Sequence, residues 1–267
     1  MSPASPLSAA ARGVPGYGGG RDGRGSRLLS RAHPDPGAPI IPSARAPEGP
    51  DGPVRLRYQT LEIGPHDVHL RTLRDLQQLG DADGEAAGVG VPEAMWSVFG
   101  VVWPSGLALA RLMADEDIAG RRIVEVGCGI GLASQVLNAR GADITATDRH
   151  PEAARFLAFN TDLNAQPAIP FVRAGWTDDE AAEFGTFDLI IGSDLLYERK
   201  PAAALAAFVA RHARPTCEVL LLDPRRGHAA RFAAHMAELG FSAERVTPQS
   251  TDDAPAYDGH VYRFRRG

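Results

Sequence analysis

Lysine is nearly missing from this chain. Its 267 residues hold one, Lys200, against 27 arginines. Cysteine is equally scarce: Cys128 and Cys217 cannot build a four-thiolate metal site or a disulfide framework. They fit a reducing, cytoplasmic compartment. No run of about 20 uninterrupted apolar residues occurs, which argues against a transmembrane helix. A secretory signal is also missing, since Leu28-Leu29 is too short for an apolar core. The eight histidines show no H-x-x-x-H spacing and no pairing with cysteine, so no metal is assigned. The net charge of −5 provides no basic field for nucleic acid. What remains is a profile of 44% hydrophobic and 23% charged residues, that of a globular protein large enough for a sizeable core.

Residues 1–53 carry ten Pro and ten Gly and lack Phe and Trp. Such a segment cannot bury enough apolar surface to offset its ordering entropy, and it reads as a disordered tail. A single domain is expected over 54–267. It opens with two partly alternating runs, Leu56–Ile63 and His66–Leu73, around Gly64-Pro65, which predict a β-hairpin within 54–75. Residues 80–91 are small, acidic and Gly-rich, and read as a mobile loop.

Beyond the hairpin, short apolar strands alternate with helical patterns. Strands are predicted at 123–126, 144–147, 170–172, 187–193 and 219–222. Helices are predicted from 104, at 132–140, 151–163, 202–212 and 228–239. Two last strands, 241–246 and 260–264, have no helix between them. The fold class is α/β: a Rossmann-like, seven-stranded, mostly parallel sheet with a reversed last strand, helices on both faces and an N-terminal hairpin.

The chemistry concentrates after the first strand of this alternation, in Glu125-Val126-Gly127-Cys128-Gly129-Ile130-Gly131. Glycines between a strand and a helix allow a tight turn and close approach of a ligand to the main chain. The dinucleotide fingerprint would need glycine where Leu132 stands. Glu125 would repel a pyrophosphate and favour a ligand with a positive group, such as an amino-acid ammonium. Asp148 ends the next strand, where an acid can accept hydrogen bonds from ribose hydroxyls. At the end of the fourth strand of the alternation stand Ser193-Asp194-Leu195-Leu196-Tyr197.

This combination resembles the class I S-adenosylmethionine (SAM)-dependent methyltransferases. Asp194-x-x-Tyr197, with Trp103-Pro104-Ser105-Gly106 and Gly175-Trp176, resembles most closely the branch of seven-β-strand protein lysine methyltransferases that includes the electron-transfer flavoprotein β-subunit enzyme. The resemblance covers roughly residues 54–267. It implies SAM contacts from Trp103, the Gly127–Gly129 stretch, Asp148, Trp176 and Ser193. The loop reading adds Glu125, Cys128 and Gly131. It also implies that Asp194 orients a substrate amine with Tyr197 beside it, and that the partner is a protein bearing the target lysine, with neither nucleic acid nor membrane involved. The run Asp223-Pro224-Arg225-Arg226-Gly227 resembles a segment near the substrate entrance in that branch. On its own terms, the arginine pair reads as surface charge or as a contact for an acidic substrate face, and Asp188 as a strand start or ion-pair residue.

Overall fold

The computed structural model describes residues 48–49, 52–76, 79–81, 83–177, 184–197, 201–246 and 257–267. The expected tail of 1–53 lies outside the described residues, except that β1 (Glu48–Gly49) and β2 (Gly52–Pro53) pair as a minimal antiparallel ladder.

The hairpin forms where the alternation places it, as β3 (Leu56–Ile63) and β4 (His66–Leu73). In the 80–91 region the structure differs from a plain loop. Glu85–Gly88 forms a short helix, α1, because Asp81 caps it: its two carboxylate oxygens accept the N–H groups of Ala86 and Ala87 at 2.9 and 2.7 Å. The remaining elements follow in order: α2 (Pro104–Asp115), β5 (Arg122–Val126), α3 (Leu132–Ala139), β6 (Asp143–Asp148), α4 (Pro151–Leu163), β7 (Phe171–Arg173), β8 (Phe187–Ser193), α5 (Pro201–His212), β9 (Ala213–Asp223), α6 (Ala229–Glu238), β10 (Ser242–Val246) and β11 (His260–Arg266).

The main sheet has seven strands in the order β10-β11-β9-β8-β5-β6-β7. All run parallel except β11, which is antiparallel to both β9 and β10. The predicted reversed last strand is therefore present.

Period-two alternation divides the core between the two faces of the sheet. Ile123, Leu189, Ile191, Leu220 and Leu222 face one cluster, which receives α2, α3, α4 and the hairpin. Val124, Val126, Ile190, Val219 and Leu221 face the other, which receives α5 and α6. Strands buried on both sides explain the near-continuous apolar runs in the sequence.

The apolar stretch Glu93–Asp115 is long and apolar enough to cross a membrane by composition. In the fold it comprises two 3₁₀ turns (Glu93–Met95 and Val98–Gly100), a short break and the 12-residue α2. Leu109, Ala110 and Met113 of α2 are fully buried against the sheet.

The hairpin docks through two asparagines four residues apart, Asn160 on α4 and Asn164 at its C-cap. Asn160 exchanges two hydrogen bonds with the main chain of Arg71, and Asn164 does the same with His69. Their amides imitate a neighbouring strand and satisfy the outer edge of β4.

Candidate active site

In an open parallel sheet, a ligand sits beyond the carboxyl ends of the strands. Four parts of the chain converge there: the loop after β5, the end of β6, the turn leading into α2, and the end of β8.

The loop reverses direction through glycine. Gly127, Gly129 and Gly131 all have left-handed backbones, with φ of 62°, 56° and 72°. At Gly129 the need is double, since a Cβ atom would lie 2.8 Å from the Phe99 carbonyl oxygen. Main-chain bonds lash the loop to β6. The Cys128 N–H donates to the Thr147 carbonyl at 3.0 Å, and the Gly129 N–H donates to Asp148 Oδ2 at 2.9 Å.

Asp148 also accepts the His150 N–H at 2.8 Å. Burial pushes its carboxyl up, while the N–H groups of His150, Gly129 and Arg149 pull it down. A carboxylate has about four acceptor sites, so capacity remains for a hydroxyl donor. Beyond β7, the Ala174 N–H donates to the Asp148 carbonyl at 3.2 Å, which brings the Gly175-Trp176 segment to the same end of the sheet. Trp176 packs partly buried against the second core cluster.

Glu125 sits below the loop, 4% exposed. Its Oε2 accepts the Ser134 N–H at 2.8 Å and the Ser134 hydroxyl at 2.5 Å, so the carboxylate serves a buried N–H in the first turn of α3 that has no partner within the helix. Burial raises its pKa to about 7, Ser134 opposes the rise, and Asp148 adds to it.

The entry to α2 closes another side. Trp103 precedes the helix, and its indole N–H donates to the Val98 carbonyl at 2.8 Å, fixing the 3₁₀ turn that carries Phe99. Trp96, seven residues earlier, bonds instead to the Val91 carbonyl at 3.1 Å. Phe99 stacks on His150 with ring centres 4.2 Å apart. Gly106 faces Ser193 closely enough that a Cβ would stand 3.6 Å from the serine oxygen. The hydroxyls of Ser105 and Thr147 are buried without a hydrogen-bond partner. Together, a glycine loop, an acid at the next strand end and two unsatisfied buried hydroxyls fit an adenosine-bearing amino-acid ligand.

Asp194 follows β8 in a left-handed backbone, φ 54°, which Asp tolerates better than most residues. Its N–H donates to the Leu222 carbonyl at 2.8 Å. Its carboxylate receives Arg226 Nε at 2.9 Å and Nη2 at 2.8 Å. Reading the sequence as surface charge missed this pairing; the signal available was the two acids, Asp194 and Asp223, at adjacent strand ends. Tyr197 lies on the same segment, 44% exposed. Asp188 accepts the Arg122 N–H and pairs with Arg214 at the other end of β8, as expected of a structural acid.

Comparison with known proteins agrees with this geometry. Residues 106–265 match the family model described as Methyltransferase domain. The chain is 31% identical over 175 residues to protein N-lysine methyltransferase METTL21A of Danio rerio, covering 62% of this chain and 77% of that protein. It is 32% identical over 154 residues to the electron transfer flavoprotein beta subunit lysine methyltransferase of Danio rerio, spanning only about half of that relative, 54%. Among solved structures, a T. Thermophilus 16S rRNA methyltransferase in complex with AdoMet and guanosine superposes with a TM-score of 0.55 at 16% identity, over 80% of this chain and 51% of that one. That likeness establishes the fold alone. The chain belongs to the methyltransferase domain family, and it is an enzyme whose cofactor is S-adenosyl-L-methionine.

Proposed function

We propose that this enzyme N-methylates a lysine side chain of a protein substrate. The observation that carries the reading is Asp194, a carboxylate fixed at the end of β8 beside the exposed Tyr197, in a chain with relatives named as protein lysine methyltransferases among its matches.

SAM, when bound, supplies an electrophilic methyl group on a sulfonium. The acceptor nitrogen must present a lone pair, and so must be neutral. A free lysine has a pKa near 10.4, so at pH 7 only about 0.04% is neutral, a handicap of roughly 4.6 kcal/mol. Asp194 accepts a hydrogen bond from an N–H of the acceptor and aims its lone pair. The nitrogen forms the new N–C bond as the C–S bond breaks, and one amine proton passes to solvent. Alignment carries most of this catalysis, and no strong base is required.

The residues assigned to SAM are Trp103, Glu125, Gly127, Cys128, Gly129, Gly131, Asp148, Trp176 and Ser193. In this assignment Asp148 takes the ribose, Glu125 complements the ammonium from beneath the loop, and the loop's main chain borders the amino-acid moiety. The acceptor is a protein, with electron-transfer flavoprotein β subunit as the candidate by resemblance, and neither nucleic acid nor a membrane is needed. The two buried free thiols suit a cytoplasmic setting.

The test uses methyl-labelled SAM, the purified chain and extract from its source cells. Label on a discrete protein, recovered as methyl-lysine after hydrolysis, is the expected result. Label confined to small molecules would overturn the protein substrate and point to a metabolite amine. Lys200 is the chain's single lysine, so a Lys200→Arg control removes any label carried by the enzyme's own lysine.

A further inference from the structure

We propose that Arg226 is a positioning residue for the transfer: its two-pronged pair with Asp194 aims the carboxylate and cancels its charge, so that the rim receives an amine without clamping an ammonium. The proposal rests on the reading above, in which Asp194 faces the acceptor nitrogen.

The pair is anchored at both ends. The Arg226 N–H donates to Asp223 Oδ1 at 2.9 Å, and Asp223 closes β9 with 2% exposure. The Asp194 N–H is held by Leu222 of the same strand. Two parallel N–H···O bonds set the plane of the carboxylate as well as its position. The Asp194 side chain is 14% exposed and that of Arg226 43%, so the acid lies inward and the cation covers it from the solvent side.

The chemical consequence follows from sign. A bare, poorly solvated carboxylate beside an amine favours the charged ammonium and raises its pKa by about 1–3 units. That opposes the formation of a nucleophile. Arg226 occupies two of roughly four acceptor sites and neutralises the charge, leaving a hydrogen-bond acceptor for an N–H.

The other ionisable groups around the pair do not take over this role. Asp223 spends Oδ1 on the Arg226 main chain. Tyr257, ahead of β11, is pushed up by burial and by the Asp223 and Asp194 charges, so it stays protonated near neutrality. Arg225 pairs with Asp258 at 2.7 Å. Tyr197 lies on Asp194's own segment.

Two measurements test the proposal. In the cofactor-free protein, n-butylammonium serves as a lysine mimic, with binding followed by NMR at pH 7. Arg226→Gln is expected to bind it at least about threefold more tightly than wild type, and adding Asp194→Asn should abolish the gain. Equal or weaker binding in Arg226→Gln overturns the proposal without touching the lysine reading.

In the transfer assay on the labelled acceptor protein, Arg226→Gln should lower kcat about tenfold at pH 7 with no rise in KM. The deficit should hold at pH values below the limb of kcat and narrow as pH rises through it, because that limb moves up by about one unit in the variant. Arg226→Lys should keep the wild-type limb. A loss that is the same at every pH, with raised KM, would mean a merely structural role and contradict the proposal. If the wild type methylates no lysine at all, the reading fails and this inference with it.

Discussion

At the amino ends of the strands, Arg263 lies between Glu116 and Glu218, with Nη2 at 2.8 Å from Glu116, and Arg121 reaches the same two acids at 3.5 and 3.4 Å. At the carboxyl ends, Glu125 and Asp148 are held by N–H and hydroxyl groups, and neither of these two acids forms an ion pair among the described residues. A hollow of about 510 Å³ at the amino end is lined by Arg121, Arg122, Arg140 and Arg214, which suggests an anion site by composition. Every one of these guanidiniums is already engaged: Arg122 by the carbonyls of Phe184 and Thr186, Arg140 by those of Met113 and Glu116, Arg214 by Asp188. The opposite rim gathers the left-handed glycines, the left-handed Asp194, and the unpartnered atoms of Ser105, Thr147, His150 and Tyr257. One end spends its polar groups on stability. The other combines left-handed backbones with several buried polar atoms that lack a partner, as a ligand site requires.

The contrast breaks first at Asp194. Asp194→Ala should reduce methyl transfer about 100- to 1,000-fold through lost alignment, while SAM binding by calorimetry stays within about twofold. Full activity in this variant would remove the assigned role.

Arg263→Met should give the reverse pattern. It leaves Glu116 and Glu218 with only the longer contacts to Arg121, and a loss of about 2–3 kcal/mol in denaturant unfolding is expected, with SAM affinity unchanged. An activity loss at full stability would show that the amino end is not purely structural.

Asp148→Ala should weaken SAM binding by about 1–3 kcal/mol, the worth of hydrogen bonds to a charged acceptor. The Gly129 and His150 N–H groups also lose their acceptor, so thermal unfolding of the ligand-free variant serves as the control.

The smallest effect is one of pH. Glu125 has a pKa of about 7 in the folded chain, raised by burial above its ordinary value. A raised acid costs stability when ionised: the cost is absent below its unfolded pKa and complete above about pH 7. Binding of a ligand ammonium needs the ionised form, so SAM affinity should fall about fivefold between pH 7 and pH 6. Glu125→Gln should flatten that dependence. A wild-type affinity constant across this interval would separate Glu125 from the ammonium.

The sequence made the scaffold legible because strands buried on two faces must be continuously apolar, as in Leu189-Ile190-Ile191 and Val219–Leu222. The hairpin, α4 and β8 fall at the residues the pattern marks. The start of β9 was not legible, since Arg214-Pro215-Thr216 carries no apolar signal and follows directly on α5. In the site, the glycine loop and Asp148 were readable from local spacing. The Arg226 fork was not, because 32 residues separate it from Asp194 and only the β8–β9 register brings them together. The cap that Glu125 provides to Ser134 was hidden likewise, since the sequence read that acid for its charge and not for the helix beneath the loop.

The most direct measurement is a crystal structure with S-adenosylhomocysteine. The ligand should lie against Gly127–Gly131, with its ribose on Asp148 and its sulfur toward Ser193 and Asp194. Ligand density in the arginine-lined hollow at the amino ends of the strands, or a ribose held away from Asp148, would contradict that placement.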